Sequence, residues 1–172
     1  MDGRENRIEL LVPALRRFAW SLTRDADRGD DLVQDCLERA LGAWHRRRDE
    51  TALRAWLFAI LYNLHCSGRR RSASRSRLLG EMFHLREDAT PAGAQEAAVY
   101  CAEILTQLHA LPEEQRAVLV LVGVEGFGYE EAARALGVPV GTVMSRLSRG
   151  RDRLRSLGEA RGAPVVPLRR VN

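Results

Sequence analysis

The stretch YEEAARALGVPVGTVMSRLSRGRDRLR, which starts at Tyr129, constrains the fold more than any other part of the chain. Two helices joined by a tight turn need a small residue where they approach. They also need a residue that tolerates left-handed backbone four positions on, and apolar residues that seat the second helix on the first. Ala133, Gly137, Val143 and Leu147 meet those demands in that order, so the stretch is read as a helix-turn-helix. With Val143, Leu147 and Leu154 inward, the opposite side of the last helix presents Ser145, Ser148, Arg149 and Asp152, with Thr142 at the edge. Small hydroxyls with arginine suit a helix laid in the major groove of duplex DNA. There Arg pairs bidentately with guanine, and Ser reaches a base or a phosphate. Arg151, Arg153 and Arg155 extend the face as a track for phosphates. A solvated amphipathic helix closing a bundle is the plainer alternative.

Upstream, three further runs carry helical periodicity. Ile8, Leu11, Val12, Leu15, Phe18, Ala19 and Leu22 form the first, which ends in the polar turn from Thr23 to Gly29. Leu32, Val33, Cys36, Leu37, Ala40, Leu41 and Trp44 form the second, followed by the charged loop HRRRDET. Leu53, Trp56, Leu57, Ile60, Leu61 and Leu64 fall in one stripe of the third, which closes a three-helix unit by about Ser67. The tract RRRSASRSR and the Pro91 and Gly93 region then read as a linker from about 68 to 95, interrupted by a short helix at Leu78 to Leu85. A second unit begins with a helix around Glu96 to Ala110, and Pro112 opens the next, EEQRAVLVLVGV, which Gly123, Gly126 and Gly128 break. The expectation is an all-α chain of two small helical domains, one of three to four helices and one helix-turn-helix, joined by a flexible linker. Aromatics are only 6% of the 172 residues, so the cores rest mostly on Leu, Val and Ala.

All 27 basic residues are arginine, which rules out Schiff-base lysine chemistry and a P-loop lysine. Guanidinium keeps its charge and forks onto phosphate, so the arginine excess suggests a polyanionic partner. The net charge of +4 averages over segments: residues 1–78 carry +5, 79–110 carry −4 and 111–172 carry +3. Cys36, Cys66 and Cys101 are too scattered for a disulfide framework or a metal site, and a reducing cytoplasm fits them. No metal or other cofactor is expected. The charged N-terminus lacks a signal-peptide pattern, and the longest apolar run, Ala117 to Val122, is too short to span a bilayer. A soluble cytoplasmic chain without membrane contact is the expectation.

The second helix turns Asp31, Gln34, Asp35 and Glu38 away from its apolar stripe. Those carboxylates repel one another and repel DNA, so this acidic face inside a basic unit suggests a basic protein surface as partner. Capping by Asp30 and Asp31 is the structural alternative, although it leaves Asp35 and Glu38 unexplained. The third helix, ALRAWLFAILYNLH, is apolar nearly all round, as buried helices are. Its aromatic and amide groups beside Arg46, Arg47, Arg48 and Arg69, Arg70, Arg71 would equally suit unpaired bases.

The ordered set DDLVQDCLERALGAW, LRAWLFAILYNL with a trailing RRR, and LPEEQRAVLVLVGVEGFGYEEAARALGVPVGTVMSRLSRGRDRLR resembles the bacterial sigma factors, in particular the small two-domain extracytoplasmic-function group. The resemblance covers roughly residues 8–157. It implies a promoter-specificity subunit without catalysis of its own, whose partners are core RNA polymerase, promoter DNA and an anti-sigma factor. It assigns core-polymerase binding to Asp31, Leu32, Gln34, Asp35 and Glu38. Minus-ten recognition and melting would fall to Arg46, Arg47, Arg48, Trp56, Asn63, Arg69 and Arg70, and minus-thirty-five recognition to Thr142, Ser145, Arg146, Ser148 and Arg149. The implied domains are 1–78 (region 2), 79–95 (linker), 96–158 (region 4) and 159–172 (tail).

Three features depart from the pattern. Met144 stands where the family often has Lys or Arg, Leu-His-Cys-Ser-Gly follows Asn63, and Gly126 and Gly128 loosen the turn before the helix-turn-helix. The competing function is a stand-alone helix-turn-helix regulator binding palindromic duplex DNA as a dimer. That reading leaves the acidic face and the aromatic helix without a purpose.

Overall fold

The structure is a computed structural model that describes residues 7–46, 52–79 and 106–160. The chain divides into two compact units, 1–89 and 90–172, and every described element is helical.

In the first unit, α1 (Val12–Thr23) buries Leu15, Phe18, Ala19 and Leu22, as its spacing requires. It ends on Arg24 in left-handed backbone (φ 60°), whose N–H bonds the Trp20 carbonyl. Next, α2 (Ala26–Gly42) buries Val33, Cys36 and Ala40. Its cap is Asp25, whose Oδ1 accepts the Arg28 N–H at 3.0 Å. The alternative of capping by Asp30 and Asp31 therefore does not hold: the helix has already begun there, and Asp30 instead pairs with Arg16 of α1 at 3.0 Å. A 3-10 turn over Trp44–Arg46 follows.

The third helix, α3 (Leu53–Leu79), runs well past Ser67. The arginine and serine tract lacks a breaker after Gly68, and arginine and alanine favour helix, so low complexity here does not mean linker. The part of the expected short helix beyond 79, the linker and most of the helix expected from Glu96 lie outside the described residues. The buried face of α3 also differs from the expected stripe. Leu53, Leu57 and Leu61 are buried, but with Ala55, Phe58 and Tyr62, whereas Trp56, Ile60 and Leu64 are half-exposed. A helix apolar on nearly every side does not reveal its own phase. Phe18 fixes it, with ring centroids 5.3 Å from Phe58 and 6.5 Å from Tyr62.

Cys36 sits between α2 and α3, fully buried, its Sγ donating to the Leu57 carbonyl at 3.4 Å. Burial pushes its pKa up from 9.0 to about 12, against the opposing pull of backbone hydrogen bonding at Leu61. The unfolded thiol ionises first, so this group's contribution to stability is complete below about pH 9 and is lost as pH rises towards 12. Iodoacetamide at pH 8 is expected to label the half-exposed Cys66 in the native chain and to spare Cys36 until denaturant is added. Peptide mass mapping checks this; rapid native labelling of Cys36 would contradict the burial.

In the second unit, helical residues 106–109 lead into α4 (Glu113–Leu119). The Pro112 carbonyl accepts the first bonds of α4 from the Gln115 and Arg116 N–H groups, each at 3.0 Å. The chain does not break at Gly123. It loosens into a π turn over Val120–Val124, closed by the Glu125 N–H on the Val120 carbonyl at 2.9 Å, and then reverses at Gly126 (φ 69°). Then come α5 (Tyr129–Leu136) and α6 (Val140–Ala160); α6 packs on α4 and α5 packs on α6 and the π turn, with Val118, Leu119, Leu121, Val143 and Leu147 buried in this unit. At Gly150 the α6 backbone comes close to α4 side chains: a Cβ there would lie 2.7 Å from Leu119 Cδ1 and 3.4 Å from Gln115 Cβ. Small residues permit this approach and hold α6 against α4.

Candidate functional site

Each unit carries its own candidate surface. On α2, Asp31, Gln34, Asp35 and Glu38 are all exposed on the face opposite Val33, Cys36 and Ala40. Leu32 is half-buried beside them. Gln34 Nε2 donates to Glu38 Oε1 at 3.2 Å, and among the described residues no cation pairs with Asp31 or Asp35. Leu41, expected in the core stripe, is instead 57% exposed one turn beyond Glu38 and adds an apolar end to the acidic strip.

The residues expected to handle the minus-ten element divide. Arg47 and Arg48 lie outside the described residues, and of Arg46 only the backbone, in the 3-10 turn, is described. Trp56, Asn63 and Arg70 recur every seventh residue on α3 and so share one line of that helix. Trp56 is half-exposed and Asn63, Arg69 and Arg70 are exposed. Trp44 meets Trp56 edge-on, with centroids 6.2 Å apart. Phe58 and Tyr62 are spent on the core, and Trp44 and Trp56 are half-exposed.

In the second unit the turn forms as its residues dictate. Gly137 adopts left-handed backbone (φ 65°), its N–H on the Ala133 carbonyl, and the Val138 N–H bonds the same oxygen at 3.1 Å. The Pro139 carbonyl then receives the Thr142 and Val143 N–H groups and starts α6. Val143, Leu147 and Gly150 are buried, which turns Ser145, Ser148 and Arg149 outward. Arg149 is folded along its own helix, Nε to the Ser145 carbonyl at 3.2 Å and NH2 to Ser145 Oγ at 3.3 Å. That holds the guanidinium on the outer face.

Thr142 and Arg146 lie on the flank. Arg146 NH2 pairs with Glu114 Oε2 at 2.7 Å, its side chain 16% exposed, so α6 is tied to the first turn of α4. No local pattern signals a pair 32 residues apart, and sequence reasoning missed Glu114. Val140 and Met144 stand among the outward residues, 38% and 52% exposed. Among the described residues, no three His, Cys, Asp or Glu side chains gather to hold a metal ion, and no helix is long and apolar enough to cross a membrane.

Comparison with known proteins covers both surfaces. Residues 8–62 match the family described as the Sigma2 domain of PhyR, and residues 101–154 match Sigma-70, region 4. The ECF RNA polymerase sigma factor EcfG of Rhodopseudomonas palustris is 40% identical, over 94% of this chain and 88% of its own length. The probable RNA polymerase sigma-C factor of Mycobacterium bovis is 32% identical, over 88% of this chain and 83% of its own. Among solved structures, the sigma factor RpoE in complex with the anti-sigma factor NepR from Bartonella quintana superposes with a TM-score of 0.83 at 34% identity. That match covers 92% of this chain and 98% of the other. Identity at this level, sustained across both units, has one meaning for the family: the chain belongs to the ECF RNA polymerase sigma factors and directs transcription initiation as a sigma factor.

Proposed function

We propose that this cytoplasmic sigma factor, with no catalysis of its own, joins core RNA polymerase through the outward acidic strip of α2 and reads promoter DNA with α3 and α6. Asp31, Gln34, Asp35 and Glu38, with Leu32 beneath them, contact a basic surface of the polymerase. Trp56, Asn63, Arg69 and Arg70, helped by Arg46, Arg47 and Arg48, hold the melted minus-ten strand by stacking and phosphate pairing. Ser145, Ser148 and Arg149 read the minus-thirty-five element, flanked by Thr142. Arg146 contributes by fixing α6 on Glu114. The working division is 1–78 for core binding and the minus-ten element, 79–95 as linker, 96–158 for the minus-thirty-five element and 159–172 as tail. The solved relative held by an anti-sigma factor supports an anti-sigma partner for this chain too.

The observation that carries the DNA reading is the outward row of Ser145, Ser148 and Arg149 on a helix anchored by Val143 and Leu147. Arg149→Ala is expected to cost about 1 to 3 kcal/mol of discrimination at one upstream base pair. Competition of matched and mismatched promoters for the reconstituted holoenzyme measures it. A loss equal on all sequences would make Arg149 a phosphate contact instead.

A further inference from the structure

The outward face of α6 holds two residues that neither phosphate nor hydrogen-bond readout explains. Val140 and Met144 are one turn apart and 38% and 52% exposed, and they lie beside Ser145 and Ser148 rather than toward the core. Between them in sequence, Gly141 faces open space: among the described residues nothing lies within 4 Å of where its Cβ would be. Among the described residues, the start of the helix that would enter the groove therefore carries an exposed apolar strip with open backbone between its two side chains.

Burying two such side chains against water gains nothing, and against phosphate it would cost. The surrounding charge chooses the occupant. Within Val140–Ala160 there are five arginines and two acids, and Arg149 and Arg153 are exposed on this helix. A polyanion fits that setting better than an apolar protein groove does. Duplex DNA offers one apolar group in its major groove, the thymine C5 methyl. Met is unbranched and adapts to an irregular apolar surface, which suits a methyl group standing off a base edge.

We propose that Met144, supported by Val140, reads a thymine methyl group in the upstream promoter element and is a specificity-determining residue of this sigma factor. The proposal rests on the reading of α6 as the upstream recognition helix. Met144 makes no hydrogen bond to the base, so it distinguishes thymine from uracil, which differ there by the methyl alone.

The test uses holoenzyme reconstituted from the full chain and purified core polymerase. Upstream elements are selected from a randomised duplex library, and each selected thymine is then replaced singly by deoxyuridine. With the natural chain, uracil at one selected position is expected to lower upstream-dependent binding about fourfold, the equivalent of about 0.8 kcal/mol for one methyl-sized group. Met144→Ala holoenzyme is expected to bind the thymine and uracil versions of that site equally. If every selected thymine tolerates uracil, or if Met144→Ala stays as sensitive as the natural chain, the proposal falls and the upstream reading survives. If Met144→Ala alters association with core enzyme instead of uracil sensitivity, the strip docks protein, and the proposal again falls. If the holoenzyme transcribes but selects no upstream element, the reading of α6 falls with it.

Discussion

Asp35→Arg combined with Glu38→Arg is expected to abolish association with core RNA polymerase while leaving the helix content unchanged. Both side chains are exposed on the face of α2 opposite Val33, Cys36 and Ala40. Arginine is a good helix former, so the double change leaves the buried side, Val33, Cys36 and Ala40, as it was. At the proposed polymerase interface it replaces two negative charges by two positive ones, opposite what the proposal takes to be a basic surface. Like charges brought together there cost several kcal/mol, and the lost pairs cost about 2 kcal/mol or more when desolvated, so affinity falls at least ~100-fold. Co-purification with core enzyme and circular dichroism of the variant together check it. A variant that still co-purifies removes the acidic strip from the polymerase contact.

The second large effect is structural. Phe18 is fully buried at the centre of the first unit, against Phe58 and Tyr62. Phe18→Ala removes the ring that fixes the rotation of α3 and is expected to cost about 3 to 5 kcal/mol. Small domains hold only about 5 to 15 kcal/mol in total, so much of the first unit's stability goes with it. Guanidinium denaturation of the full chain measures the loss. A cost below about 1 kcal/mol would contradict the packing of Phe18 between α1 and α3. The two variants also fail differently. Asp35→Arg with Glu38→Arg loses the partner in a folded protein, and Phe18→Ala loses it through the fold.

What the sequence reveals follows from how local each determinant is. Ala133, Gly137, Val143 and Leu147 act within 15 residues, and the turn they form needs only the left-handed Gly137 and the Pro139 start of α6. The acidic strip was legible for the same reason, because α2 has one narrow apolar stripe and everything else must face out. The rotation of α3 was not. With apolar residues on all sides, only Phe18, supplied by another helix, selects Phe58 and Tyr62 over Trp56 and Ile60. Nor was the length of α3, since the tract after Gly68 looks like a linker in composition yet contains nothing that stops a helix. The pairing of Arg146 with Glu114 depends on α6 lying against α4, a contact made possible by Gly150 and invisible at the level of either segment. Asp25 was overlooked as a cap because Asp30 and Asp31 lie nearer the first apolar residues, although α2 begins a turn earlier on residues with no apolar signal.

On the proposed function, the acidic strip of α2 and the outward face of α6 both serve promoter-directed initiation by polymerase. Transcription in vitro with purified core enzyme on a randomised promoter library, with start sites mapped, tests it most directly. The expected result is discrete start sites that require this chain, share an upstream and a downstream element, and disappear with the Asp35→Arg and Glu38→Arg double variant. Start sites that do not depend on the chain, or binding of the chain alone to palindromic duplex DNA with no initiation, would contradict it.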